Sequence, residues 1–192
     1  MSSTVLKSSA GARLRSAPVI AATAALTGGV AAVQGSLGSA ALCGLLVLVL
    51  VPCALIDIEL RIIPNRITGP AALVAIVLGL ALAPGSEPQR LLWAALAGGF
   101  LLIAALASPS GMGMGDVKLL AVMGLCLGRP VMIALFVALL GSVVAGLVLA
   151  RRRGIAAARK TALPFGPYLA LGGIVAAVAG ERLINAWLGL HF

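Results

Sequence analysis

Apolar residues in this chain run in blocks instead of alternating with polar ones. The blocks fall at 17–33, 37–56, 67–83, 91–107, 117–128, 131–150 and 167–188. Short polar knots separate them. A helix needs about 20 mostly apolar residues to cross a bilayer, so most of these blocks read as spanning helices and the knots as turns. The pattern predicts an all-α, polytopic transmembrane helical bundle of about six to seven membrane helices. Residues 1–16 form a polar, Ser-rich segment, and 17–192 form one transmembrane domain. The first two helices make a tight hairpin across GSLG. In DIELRIIPNRITGP (57–70), Pro64 biases the preceding residue away from helix and predicts a break there. The Pro/Gly-rich APGSEPQR (83–90) makes the next turn. The block 117–128 is too short for a full crossing. It is either a short, partly buried helix or one that begins within SPSGMGMG (108–115).

Composition agrees with the pattern: 61% of the 192 residues are hydrophobic, against about 45–50% in soluble domains. Mean hydropathy is +1.17. The formal charge of +9 would raise nucleic acid as a partner in a soluble protein, but its distribution reads as topology. Lys7, Arg13, Arg15, Arg61, Arg66, Lys118, Arg151, Arg152, Arg153, Arg159 and Lys160 fall on one side of the predicted spans. Only Arg90, Arg129 and Arg182 fall on the other. The positive-inside rule puts the first side, with the N-terminus, in the cytoplasm of a multi-pass protein of the cytoplasmic (inner) membrane. The lipid bilayer is therefore the expected partner, with anionic headgroups around 151–160, and no nucleic acid is expected. Trp93 and Trp187 sit where interface anchors would. Cys43, Cys53 and Cys126 lie within predicted spans without metal-ligand spacing and read as buried thiols, so no metal or cofactor is expected. Gly124 and Gly128 form a GxxxG, read as plain packing. The oligomeric state stays open.

The five acids are Asp57, Glu59, Glu87, Asp116 and Glu181. Both aspartates lie at cytoplasmic ends of spans. Asp57 and Arg61, four apart, could be an ordinary helix-end ion pair. Alternatively, the odd number of turns between spans two and five brings both carboxylates to one face. Two such groups in a poorly solvated site share a proton, which provides a general base and a general acid. His191, the only histidine, falls on the other side. In GMGMGDVKLLA (111–121), Gly111, Gly113 and Gly115 could adopt positive φ, admit the backbone to the bundle and deliver Asp116; a flexible loop is the plainer reading. Lys118 either lowers the pKa of Asp116 or contacts headgroups.

GMGD (113–116) followed by VKLLA resembles the G-x-G-D motif of type IV prepilin peptidases. DIELRIIPNRIT (57–68) resembles that family's first catalytic segment, and PFGPYLALGG (164–173) its C-terminal segment. The resemblance implies a membrane aspartyl endopeptidase that cuts the basic leader from prepilin-like substrates at the cytosolic boundary, with Asp57 and Asp116 catalytic. Glu59 and Arg61 then orient Asp57 or recognise the leader. Pro64, Asn65, Gly113, Gly115 and Lys118 support the two motifs. Pro164, Phe165, Gly166 and Pro167 either start the last helix or line the substrate channel. Longer family members carry a cytosolic insertion with paired C-x-x-C motifs and also methylate the new N-terminus. This chain lacks those cysteines and the connection at 34–37 leaves no room for the insertion, so methyltransferase activity is not expected. The short form resembles the peptidases of tight-adherence (Flp) pili. From a different class, a small ion- or proton-coupled transporter could use the same aspartates, and an inactive pilus-assembly scaffold would use neither.

Overall fold

A computed structural model describes residues 16–107, 113–154 and 164–189. Gly111, His191, Arg159, Lys160 and the polar segment before Ser16 lie outside the described residues. The described chain forms seven α-helices: α1 (Ala17–Ala32), α2 (Leu37–Leu60), α3 (Asn65–Leu82), α4 (Glu87–Ala107), α5 (Met114–Leu127), α6 (Val131–Arg153) and α7 (Gly166–Leu188), with one 3₁₀ turn at Pro84–Ser86. Five segments are long and apolar enough to cross a membrane: α2, α3, α4 with its 3₁₀ turn, α6 and α7. Helix α1 is apolar but shorter. The chain is a multi-pass membrane protein.

Local chemistry sets where the helices begin and end. Ser36 caps α2, its hydroxyl oxygen accepting the Ser39 N–H at 3.2 Å. The break expected at Pro64 opens earlier, at Arg61, which ends α2 in the left-handed region with φ 53°. Pro64 then holds an extended conformation immediately before α3. Because α2 continues to Leu60, Asp57 belongs to its last turn and not to the knot after it. Helix α6 ends on Arg151, Arg152 and Arg153, cations that suit the negative end of a helix dipole.

The short fifth block is the centre of the bundle. Helix α5 packs against α2, α3, α4, α6 and α7. Val117, Leu119, Leu120, Val122, Met123, Leu125 and Cys126 are all buried, so little of it is left to face lipid. A helix apolar on every side belongs in a core. With 14 residues it is about 21 Å long at 1.5 Å per residue. It begins inside the glycine-rich segment, and it is also short and buried.

Against α5 lie Leu42, Leu46 and Leu50 of α2, which repeat every four residues on one face, together with Leu101, Val131 and Leu169. Small residues bring the backbones close. A side chain at Gly124 would fall 2.5 Å from Ala94 Cα of α4, and one at Gly98 would fall 3.0 Å from Ala121 Cβ. Close approach of this kind replaces the hydrophobic drive that helices lack in lipid. Of the GxxxG pair, Gly124 serves packing, whereas Gly128 ends α5 at φ 68° and lies in the turn to α6.

Candidate active site

Helices α2, α5 and α7 meet at one end of the bundle. The last turn of α2 carries Asp57, which is 6% exposed. The first turn of α5 carries Asp116, half-buried. The first residue of α7 is Gly166, whose backbone N–H donates to Asp57 Oδ2 at 2.8 Å. The first N–H groups of a helix have no partner within it, and the positive end of the dipole favours an anion there. The PFGPY segment therefore both starts α7 and supplies a donor to a carboxylate 109 residues earlier in the chain.

Asp116 is placed by a different device. It stands third in α5, after the extended N-cap Gly113, and its carboxylate lies beside the Gly113 backbone. The third position of a helix is the one from which an acid can reach back towards the N-cap N–H. Its Oδ1 is buried without a hydrogen-bond partner among the described residues. Burial first, and then the nearby charge of Asp57, push the Asp116 carboxyl up to about 6, while the Gly113 backbone pulls it down. The two aspartates thus stand close enough for one charge to be felt at the other.

The glycines serve close approach here. Gly113 has φ −81°, an angle open to any residue, and Gly115 lies inside the helix. A Cβ on Gly115 would fall 2.7 Å from Ile63 Cβ, in the connection between α2 and α3. A Cβ on Gly166 would fall 2.9 Å from Asp57 Oδ2. Each of these two glycines lets one strand of backbone seat against the aspartate-bearing segment of another.

The remaining candidates surround this pair. Lys118 Nζ donates to Asn65 Oδ1 at 3.0 Å and ties α5 to the start of α3; its ammonium is directed to this amide. Glu59 is half-buried in the last turn of α2. Arg61 is exposed, with its charge within electrostatic reach of Asp57. Pro164, Phe165 and Pro167 are half-buried around Gly166. Among the described residues no three His, Cys, Asp or Glu side chains group as metal ligands.

The sequence pattern did not single out Glu87 and Arg90. Both fall in the Pro/Gly-rich turn APGSEPQR, yet they belong to α4 and are 3% and 8% exposed at the opposite end of the bundle. Their three-residue spacing on the first turn of α4 was the available sign that both face one way.

The fold and the site define a class: a helical membrane protein that pairs two aspartates at one end of its bundle. The model of the type IV leader peptidase family matches residues 41–150. The chain belongs to that family. It is 35% identical over 147 residues to a prepilin leader peptidase/N-methyltransferase of Bacillus subtilis (strain 168), covering 72% of this chain and 56% of that protein. A protein of the same name from Legionella pneumophila is 37% identical over 79 residues, covering 41% of this chain and 27% of that protein. Another from Stutzerimonas stutzeri is 28% identical over 146 residues, covering 72% and 50%. The chain spans about half the length, or less, of these relatives. No solved structure shows a significant match.

Proposed function

We propose that residues 17–192 form a membrane aspartyl endopeptidase domain that removes the basic leader from type IV prepilin-like precursors. Flp-type pilins are its substrate class, and the cytoplasmic membrane face is its site of action. The single observation that carries this reading is the approach of Asp57 and Asp116, 59 residues apart, at one end of an apolar bundle. The orientation rests on the same end carrying most of the basic residues, including Arg61, Arg66, Lys118 and Arg151 to Arg153. Asp57 stands three residues before the end of a 24-residue helix, about 5 Å inside it at 1.5 Å per residue. That depth suits a cut next to the start of a hydrophobic segment. The relatives' names carry two activities, and only the peptidase is proposed here.

The environments of the two carboxyls assign their roles. Asp57 accepts the Gly166 N–H, which orients its carboxylate, and serves as the general base. Asp116, with one oxygen buried and unpartnered, carries the shared proton. Asp57 takes a proton from water as the water oxygen bonds to the scissile carbonyl carbon, and Asp116 gives its proton to the carbonyl oxygen. When the C–N bond breaks, Asp57 passes its proton to the departing nitrogen and Asp116 recovers one from the diol. Both groups end as they began.

The test is cleavage of an Flp-type prepilin by membranes carrying the protein. Loss of either carboxyl, in Asp57→Asn or Asp116→Asn, should lower the rate by about 10²–10⁴-fold, the usual weight of general acid–base catalysis. A transporter or an inactive scaffold predicts no leader removal even by the unaltered protein, and that result would end the proposal.

A further inference from the structure

The other end of the bundle holds a cavity of about 340 Å³ that the paired aspartates do not touch. Its walls come from the end of α1, the start of α2, the start of α4, the turn between α5 and α6, and the second half of α7. Three arginines line it, Arg90, Arg129 and Arg182, against one acid, Glu181. Arg129 and Glu181 satisfy each other at 2.7 Å, at the partly exposed rim. Arg90 is different. It is 8% exposed, its stem packs beside Gly128, and its buried Nη1 has no hydrogen-bond partner among the described residues. Glu87, the buried acid one turn earlier, is turned onto Gly79 of α3 and does not line the cavity.

A guanidinium stays ionised at any physiological pH, so its burial beside a cavity calls for an anion or for water within that cavity. Its planar fork matches phosphate oxygens two at a time. The cavity also lies where helices turn at one end of a membrane bundle, the level at which phospholipid headgroups sit. We propose that this cavity is a phosphate-binding site, with Arg90 as its anchor and Arg182 adding positive charge. The same chemistry can come from a phospholipid headgroup entering between the helices or from free inorganic phosphate. Nothing in this assignment depends on the peptidase reading.

The test uses the full chain purified in a phosphate-free maltoside detergent. Its unfolding temperature is measured with inorganic phosphate, with phosphatidylglycerol, and with diacylglycerol as a lipid lacking phosphate. One or both phosphate probes should raise it by about 5 °C near saturation, as binding confined to the folded state does, while diacylglycerol does not. A rise with phosphatidylglycerol alone identifies a headgroup site; a rise with inorganic phosphate, alone or as well, identifies a site open to the free ion. Arg90→Gln should weaken binding at least about tenfold, the weight of a charge-assisted hydrogen bond. Gln89→Glu puts a negative charge on an exposed residue lining the same cavity. It should weaken binding several-fold without disturbing the core, and so decides the matter if Arg90→Gln fails to fold. The proposal is overturned if neither phosphate probe shifts the unaltered protein, if diacylglycerol shifts it equally, or if Gln89→Glu responds as the unaltered protein does.

Discussion

The two ends of this bundle handle buried charge in opposite ways. At one end a pair of like charges is brought together. Asp57 is held by a backbone N–H from another helix, and Asp116 stands in the first turn of its own. At the other end, Arg90 is buried beside open space. Helix α5 joins the two, with Asp116 in its first turn and Gly128 against the Arg90 stem after its last. Tight backbone contacts surround the acids, whereas a cavity surrounds the base. A carboxyl can escape the cost of burial by keeping its proton, but a guanidinium cannot, so it needs a counter-ion or solvent. The acid end can therefore be dense and the arginine end has to be hollow.

The largest effect that would break this contrast is expected at Gly166. A Cβ there would fall 2.9 Å from Asp57 Oδ2, and the same N–H orients that carboxylate. Gly166→Ala should cut leader cleavage by about 10²-fold, the scale seen when a catalytic group shifts by an ångström. The loss should appear in kcat more than in KM, with thermal stability little changed. Equal cleavage by Gly166→Ala would show that the acid end is loose.

Gly124→Ala probes the helix between the two ends. Its Cβ meets Ala94 Cα at 2.5 Å, backbone that cannot rotate away. The expected cost is about 1–3 kcal/mol of stability, as overpacked cores show, read as a lowered unfolding temperature. Cleavage per folded molecule should hold. This is a packing effect, the reverse of the Gly166 result.

Titration sharpens the claim that the acids are coupled. Asp116 is raised from 3.8 to about 6, first by burial and then by Asp57. In Asp57→Asn the second cause disappears, so the Asp116 carboxyl should titrate below 6 yet above 3.8, as read from its carbonyl stretch by infrared difference spectroscopy. An unmoved value would mean that the two carboxyls stand apart. The sign for stability follows. A raised acid favours the folded state while it is protonated, so this contribution is full below pH 3.8 and is lost as the pH rises through about 6.

Lys118→Met should do least. It removes an exposed bond to Asn65, and surface changes of this kind stay within about 0.5 kcal/mol. Thermal unfolding should barely move.

Much of this was legible along the chain. The apolar blocks anticipated each helix to within a few residues, because lipid demands continuous apolar length wherever a helix must cross. The odd number of turns between Asp57 and Asp116 put both at one end for the same reason. Three properties were decided only by the folded bundle. Helix α5 is the core because five other helices surround it, which a 14-residue pattern cannot announce. Gly166 meets Asp57 across 109 residues, through an N–H that every non-proline residue possesses. Glu87 and Arg90 are buried because α3 and the α5–α6 turn close over them, although their local sequence reads as a turn. Crossing the membrane is a property of each segment and is written in its composition. Burial, orphaned hydrogen bonds and shared protons belong to pairs of segments, and they exist only once the helices have packed.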